Sequence, residues 1–203
     1  MSSMGATRGQ LLEEVIVAGS STSDVVRWGI IGTGGIASTF ARDLQLLPDA
    51  RLAAVGSRTQ ATADRFADRF KVPQRYSSYE DLVSDASVDV VYVSTPHPGH
   101  HAAALMALRA GKAVLCEKPF TLNAIQANEL ISVARSSGIF LMEAMWSRFL
   151  PHMVRVRQLI DSGVLGEIRT VVADHGQQFA FDPGHRLFAP TLGGGALLDL
   201  GIY

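Results

Sequence analysis

The sequence predicts an α/β domain built on a doubly wound parallel sheet. Three observations predict it. From Val26 onward, short apolar strand-like runs alternate with amphipathic helix-like runs. The strand-like runs are apolar at nearly every position, as strands covered on both faces require. The first of them meets a cluster of glycines, "GIIGTGGIA" over 29–37, just where a helix-like run begins. Alternation of this kind means parallel strands joined by helical crossovers.

Each element follows in order. "VRWGII" (26–31) reads as a buried strand and "IASTFARDLQLL" (36–47) as a helix. "RLAAVGS" (51–57) is a second strand, "QATADRFADRF" (60–70) a second helix and "SYEDLVSD" (78–85) a short one. "VDVVYVST" (88–95) is a strand, and "HHAAALMALRAG" (100–111) a helix closing on glycine. "KAVLCEKP" (112–119) is a strand ending at Lys118-Pro119, followed by the helix "NAIQANELISVARSSG" (123–138) and the strand "IFLME" (139–143). Beyond that the pattern changes. Residues 149–166 read as a helix with Pro151 in its first turn, 167–181 begin as an alternating strand, and 193–203 pass from three glycines into a helix. The expected organisation is a flexible extension over 1–24, a first domain over 25–147 and the truncated start of a second α/β domain over 148–203.

Composition narrows the function. Of 203 residues, 47% are hydrophobic, enough for a core, and the net charge is −1 with both signs mixed. That balance offers neither a nucleic-acid surface nor a polybasic membrane anchor. No apolar run reaches membrane-spanning length. "LLEEVIVA" (11–18) is broken by Glu13 and Glu14 and lacks a basic stretch before it, so it is not a secretory signal. The one cysteine, Cys116, allows no intrachain disulfide. A cytoplasmic, reducing setting fits.

The glycine cluster carries the chemistry. Gly32, Gly34 and Ala37 fit G-x-G-x-x-A, the dinucleotide-binding turn of a Rossmann sheet. Gly32 permits the tight turn, Gly34 lets the backbone approach a pyrophosphate, and Ala37 keeps the helix close to the sheet. The helix N-terminus, with Thr33, Gly35 and Ile36 around it, would meet the phosphate charge. Ser57 falls 20 residues after Ala37, where an acidic residue would hold a ribose 2′-hydroxyl, and Arg58 follows. Ser and Arg hydrogen-bond to a 2′-phosphate that a carboxylate would repel, which favours NADP over NAD. His97, His100 and His101 cluster in "HPGHH" without a nearby cysteine or acidic group, so no metal site is expected.

"LCEKPFTLN" (115–123), downstream of this turn, resembles the Gfo/Idh/MocA oxidoreductase family. "STPHPGHH" (94–101) is similar to its T-P-x-x-x-H turn, with Thr95, Pro96 and His100 in place. "MEAMWSRFLP" (142–151) and "GGGALLDLGIY" (193–203) resemble the dimeric dihydrodiol dehydrogenase branch, which includes NADP-dependent pentose dehydrogenases. The resemblance implies hydride transfer between a nicotinamide and a sugar, diol or related carbonyl compound, by an enzyme that is a homodimer at full length. It implies Lys118, Tyr203 and Asp199 as catalytic residues, with Glu117 beside the cofactor and Trp146 and Arg148 near the nicotinamide. Asp199 and Tyr203, four apart, would share a helix face. Oxidising an alcohol also needs a base for its proton, and a phenol beside an ammonium can serve. The alternative is a nucleotide-binding module without turnover: a sensor or partner-binding protein, or an inactive fragment.

Overall fold

The computed structural model describes residues 25–203. The extension expected over 1–24 lies outside the described residues. Six strands form one parallel sheet: β1 (Val26–Ile31), β2 (Ala50–Gly56), β3 (Gln74–Tyr76), β4 (Val90–Val93), β5 (Ala113–Cys116) and β6 (Leu141–Glu143). Their order is β3-β2-β1-β4-β5-β6. The chain therefore winds outward from β1 in both directions, and a crevice opens between β1 and β4 at the carboxyl ends of the strands.

Helices cover both faces, as the apolar strands require. On one face Ala37, Ala41 and Leu44 of α1 (Gly35–Leu44) and Phe66, Ala67 and Phe70 of α2 (Gln60–Phe70) pack on Ile30, Val55 and Tyr92. On the other, Leu82 of α3 (Tyr79–Ser84), Ala104 and Leu108 of α4 (His100–Arg109) and Leu130 of α5 (Ala124–Ser137) pack on Ile31, Val91 and Val93. Neighbouring residues of β1, Ile30 and Ile31, thus serve opposite cores. Each such side chain stabilises the fold by about 1.5–3 kcal/mol on burial. Local chemistry sets the helix ends: Thr59 and Asn123 accept from Thr62 N–H and Gln126 N–H, and Gly138 closes α5 in the left-handed conformation.

The expected elements over 26–143 are present with shorter ends, and β3 is an addition. At three residues on the sheet edge it is too short to show a period. The carboxyl-terminal expectations need correction. The helix over 149–166 is α6, Pro151–Asp161, preceded by a 3₁₀ turn at Trp146–Phe149. The strand over 167–181 does not form: the segment is irregular and exposed, and Val171 and Val172 are more than 80% accessible. A strand needs a neighbour to satisfy its backbone, and none pairs with it among the described residues. The helix over 193–203 shrinks to α7, Ala196–Asp199. Gly201 donates its N–H back to the Ala196 carbonyl and ends it, so Tyr203 lies beyond the helix. Among the described residues, no helix is long and apolar enough to cross a membrane.

One turn governs the crevice. Gly32 leaves β1 with φ +101°, and a Cβ there would stand 2.9 Å from the Ser94 carbonyl oxygen. Gly32→Ala is therefore expected to cost about 1–3 kcal/mol of stability through strain and crowding. Gly34→Ala, whose Cβ meets nothing within 4 Å, should leave stability unchanged. Urea unfolding midpoints at constant slope check the pair.

Candidate active site

A cleft of about 630 Å³ lies at the carboxyl ends of the strands. Nearly every strand contributes its following turn. The glycine loop after β1 forms the floor with Gly32 to Ile36; Ser57 and Arg58 follow β2; Thr95 and Pro96 follow β4; Glu117 and Lys118 follow β5; Trp146 follows β6. Arg186, Asp199 and Tyr203 of the carboxyl-terminal segment close one end.

The glycine-loop end suits a dinucleotide. The leading N–H groups of α1 have no partner within the helix and point at the cleft mouth. Gly34 leaves open space over them. Beside them, hydroxyls form a chain: Thr33 Oγ1 lies 3.3 Å from Ser57 Oγ, which lies 2.6 Å from Thr62 Oγ1. Thr95 Oγ1, deeper in the cleft, is buried without a hydrogen-bond partner. A buried hydroxyl left unpaired costs about 1–3 kcal/mol, so a ligand that pairs it is favoured. These residues could hold a nicotinamide dinucleotide, and Arg58 lines the same end of the cleft.

At the other end the interactions centre on Asp199. Its Oδ1 accepts from Lys118 Nζ at 3.2 Å and from Arg186 Nη1 at 3.2 Å. Lys118 Nζ also donates to the Asp199 backbone carbonyl at 2.7 Å. Burial pushes the Asp199 carboxyl up, but hydrogen bonds from Arg186 and Lys118, and their charges, outweigh it and hold the group below its ordinary value. His97 Nε2 approaches Oδ1 to 4.0 Å. Burial, then repulsion from His100 and Arg186, keeps the His97 imidazole below its usual value against the pull of Asp199. Tyr203 sits above Lys118, whose Nζ lies 4.7 Å from the ring centre. The Tyr203 hydroxyl accepts from Trp146 Nε1 at 3.0 Å.

On the opposite side of the Lys118 turn, Tyr92 donates to Glu117 Oε1 at 2.5 Å, and Glu117 Oε2 accepts the Lys118 N–H. Burial, reinforced by Glu117, pushes the Tyr92 phenol far up, so it stays protonated as that donor. Burial likewise pushes the Cys116 thiol up, which suits an inert core residue.

Most of the residues chosen from sequence meet in this cleft, with three differences. Arg148 is exposed on its 3₁₀ turn and does not line the cleft. Ala37 is fully buried under α1 and acts through packing, as expected. Asp199 and Tyr203 converge through a turn rather than along a helix face, because Gly201 ends α7 between them. The three histidines diverge: His101 pairs with Glu129, His100 with backbone carbonyls, and His97 faces Asp199. Sequence reading missed Arg186, His97, Tyr79 and Ser94 as cleft residues. No local pattern marks Arg186, whose loop reaches the site only because glycines 193–195 let it fold back. A Cβ on Gly193, at φ +71°, would stand 2.6 Å from Leu122 Cδ2.

Comparison with known proteins agrees with this architecture. Residues 26–145 match the oxidoreductase family with an NAD-binding Rossmann fold, and residues 153–203 match the Gfo/Idh/MocA C-terminal domain. The chain belongs to the Gfo/Idh/MocA oxidoreductase family. It is 45% identical over 182 residues to trans-1,2-dihydrobenzene-1,2-diol dehydrogenase of Mus musculus, covering 88% of this chain and 54% of that protein. It is 41% identical over 198 residues to D-xylose 1-dehydrogenase (NADP+) of Hypocrea jecorina, covering 88% and 51%. The chain spans about half the length of the curated relatives it matches. Among solved structures it resembles an NAD-binding oxidoreductase from Klebsiella pneumoniae, with TM-score 0.75, 31% identity and coverage of 88% and 50%. It also resembles a 3-ketoreductase from Actinomadura kijaniata in complex with NADP and TDP-benzene, with TM-score 0.74, 36% identity and coverage of 89% and 55%.

Asp199 is expected to fasten the carboxyl-terminal segment. Its native affinity for protons is depressed, so its contribution is complete above the ordinary carboxylate range, about pH 4, and is lost as pH falls through the lower native value. Hydrogen exchange of the 185–203 amides should accelerate over that acid window relative to Asp199→Asn measured at each pH. Asp199→Ala should show the loosened state at neutral pH.

Proposed function

We propose that the chain is the nucleotide-binding part, and the start of the substrate domain, of an NADP-dependent oxidoreductase acting on CH–OH groups. One observation carries this: the dinucleotide loop and the Lys118–Asp199–Tyr203 group occupy opposite ends of one cleft. The NADP preference rests on Ser57 and Arg58 and on the absence of a carboxylate at that strand end. The NADP-dependent relative and the NADP complex of the ketoreductase support it. We divide the chain at residue 147, after the last strand of the sheet.

When bound, a nicotinamide supplies the acceptor or donor for a hydride. The chain's residues do the rest. Lys118, an ammonium fixed by Asp199, holds the substrate oxygen and stabilises charge that develops there. Tyr203 moves the hydroxyl proton as general base or acid. Asp199 positions Lys118. Thr95, Pro96, Glu117 and Trp146 frame the nicotinamide end, and Gly32 to Ala37 hold the pyrophosphate. The substrate is a sugar, diol or related carbonyl compound, as in the named relatives. The lone cysteine, buried and free, fits a reducing cytoplasm. A homodimer is the expected full-length assembly.

A second reading is nucleotide binding without turnover. The unpaired, exposed segment 167–181 favours it, because a substrate pocket needs ordered walls.

Titration with NADPH and NADH, read from Trp28 and Trp146 fluorescence, tests the binding claim. NADPH should saturate and bind tighter. Arg58→Ala should weaken NADPH about 10- to 100-fold, the loss of charge-assisted hydrogen bonds worth about 1.5–3 kcal/mol, and leave NADH unchanged. Equal affinities in the parent chain would overturn the preference for NADP. Substrate-dependent oxidation or reduction of the nicotinamide, abolished in Lys118→Met and Tyr203→Phe, separates turnover from binding alone.

A further inference from the structure

His100 is the first residue of α4 and is 1% exposed. Its side chain joins two turns that both line the cleft. Nε2 lies 2.8 Å from the carbonyl oxygen of Thr95, and Nδ1 lies 2.8 Å from that of Pro119. Thr95 follows β4, and Pro119 directly follows Lys118 after β5.

Both partners are carbonyl oxygens, which only accept. The two contacts are hydrogen bonds together only if both ring nitrogens carry a hydrogen. An imidazole with one N–H would set a nitrogen lone pair against a carbonyl lone pair at bonding distance. That would leave two buried acceptors unpaired, at about 1–3 kcal/mol for each unsatisfied group.

We infer that His100 donates from both ring nitrogens, and that this two-ended clamp is a positioning device for Lys118. The inference rests on the reading that Lys118 works at the nicotinamide end of the cleft. The clamp fixes the carbonyl of the residue after Lys118 and ties it to the turn that carries Thr95. Lys118 then needs only its own side-chain freedom to reach Asp199, to which its Nζ donates two hydrogen bonds.

The groups around the ring set the electrostatics. The His97 ring stands edge-on at 5.7 Å. Glu117 and Lys118 lie on the clamped β5 turn, and His101 follows in α4. Burial and the α4 N-terminus oppose a positive ring. The two carbonyl dipoles, aimed at the two nitrogens, favour it.

Two measurements on the 203-residue chain test this. The first is the nitrogen-15 spectrum of the histidine rings in the parent protein at neutral pH. Both His100 nitrogens should give N–H-type shifts. One nitrogen with a lone-pair shift at neutral pH overturns the clamp, whether or not nucleotide binds. The second compares NADPH with 2′,5′-ADP, which lacks the nicotinamide half, in His100→Gln, a variant that keeps one donating end. NADPH affinity should fall about tenfold, or ~1.4 kcal/mol, and that of 2′,5′-ADP should hold. Unchanged NADPH affinity, or equal loss for both probes, overturns the positioning role. Failure of the parent to bind either nucleotide counts against the nucleotide reading, and the spectrum still decides the clamp.

Discussion

The bond between Lys118 and Asp199 holds the site together. It joins residues 81 positions apart in sequence, one at the end of a central strand and the other at the end of a four-residue helix. The strand is fixed by the sheet, and the helix is too short to be fixed by anything but contacts. Both partners are largely buried, with side chains about one-seventh exposed or less. Removing Asp199 leaves the part-buried Lys118 ammonium without its carboxylate, which costs more than the pair itself contributes, whereas removing Lys118 leaves Asp199 with Arg186. Arg186 and Tyr203 reach the cleft on the segment that this bond fastens.

Fastening works because the sheet order leaves a place for it. Strand order reverses between β1 and β4, so the turns after these strands part and leave a crevice. The glycine loop occupies one side, and the turns after β4 and β5 occupy the other. Those turns are themselves tied down: Ser94 Oγ donates to the Ile31 carbonyl, and Glu143 accepts the Phe120 N–H. A rigid wall on the nucleotide side thus faces a wall assembled from a loop. The division matches the chemistry: a dinucleotide is the same in every turnover, while substrates differ.

Legibility in the sequence followed the same line. The apolar runs of β1 and β4 and the spacing of Gly32, Gly34 and Ala37 are local patterns, and local geometry enforces them. Lys118 was readable because its neighbours form a short motif at a strand end. Arg186 and Tyr79 were not, because each enters the cleft by tertiary contact, whereas His97 lies on the same turn as Thr95 and Pro96 and was passed over there. The strand expected over 167–181 failed for a related reason. Its alternation is real, but alternation specifies a face to bury, and burial needs a partner that the described residues do not supply. Tyr203 does line the cleft, but not in the conformation its spacing suggested. The four-residue spacing suggested a helix face, whereas Gly201 closes the helix and delivers the ring through a turn.

The charge arrangement at the end of the cleft carries the functional argument one step further. One carboxylate, Asp199, is shared by two basic side chains, Lys118 and Arg186. It cannot neutralise both. Glu117, the other acid of the cleft, is committed to Tyr92 and to a backbone N–H on the far side of the Lys118 turn. An excess of positive charge therefore faces the space between Lys118 and Tyr203. Positive charge held in a partly water-excluded pocket stabilises an oxygen that gains negative charge during reaction. Converting an alcohol to a carbonyl, or the reverse, passes through such an oxygen. On the proposed reading, a reacting oxygen placed there would complete the balance.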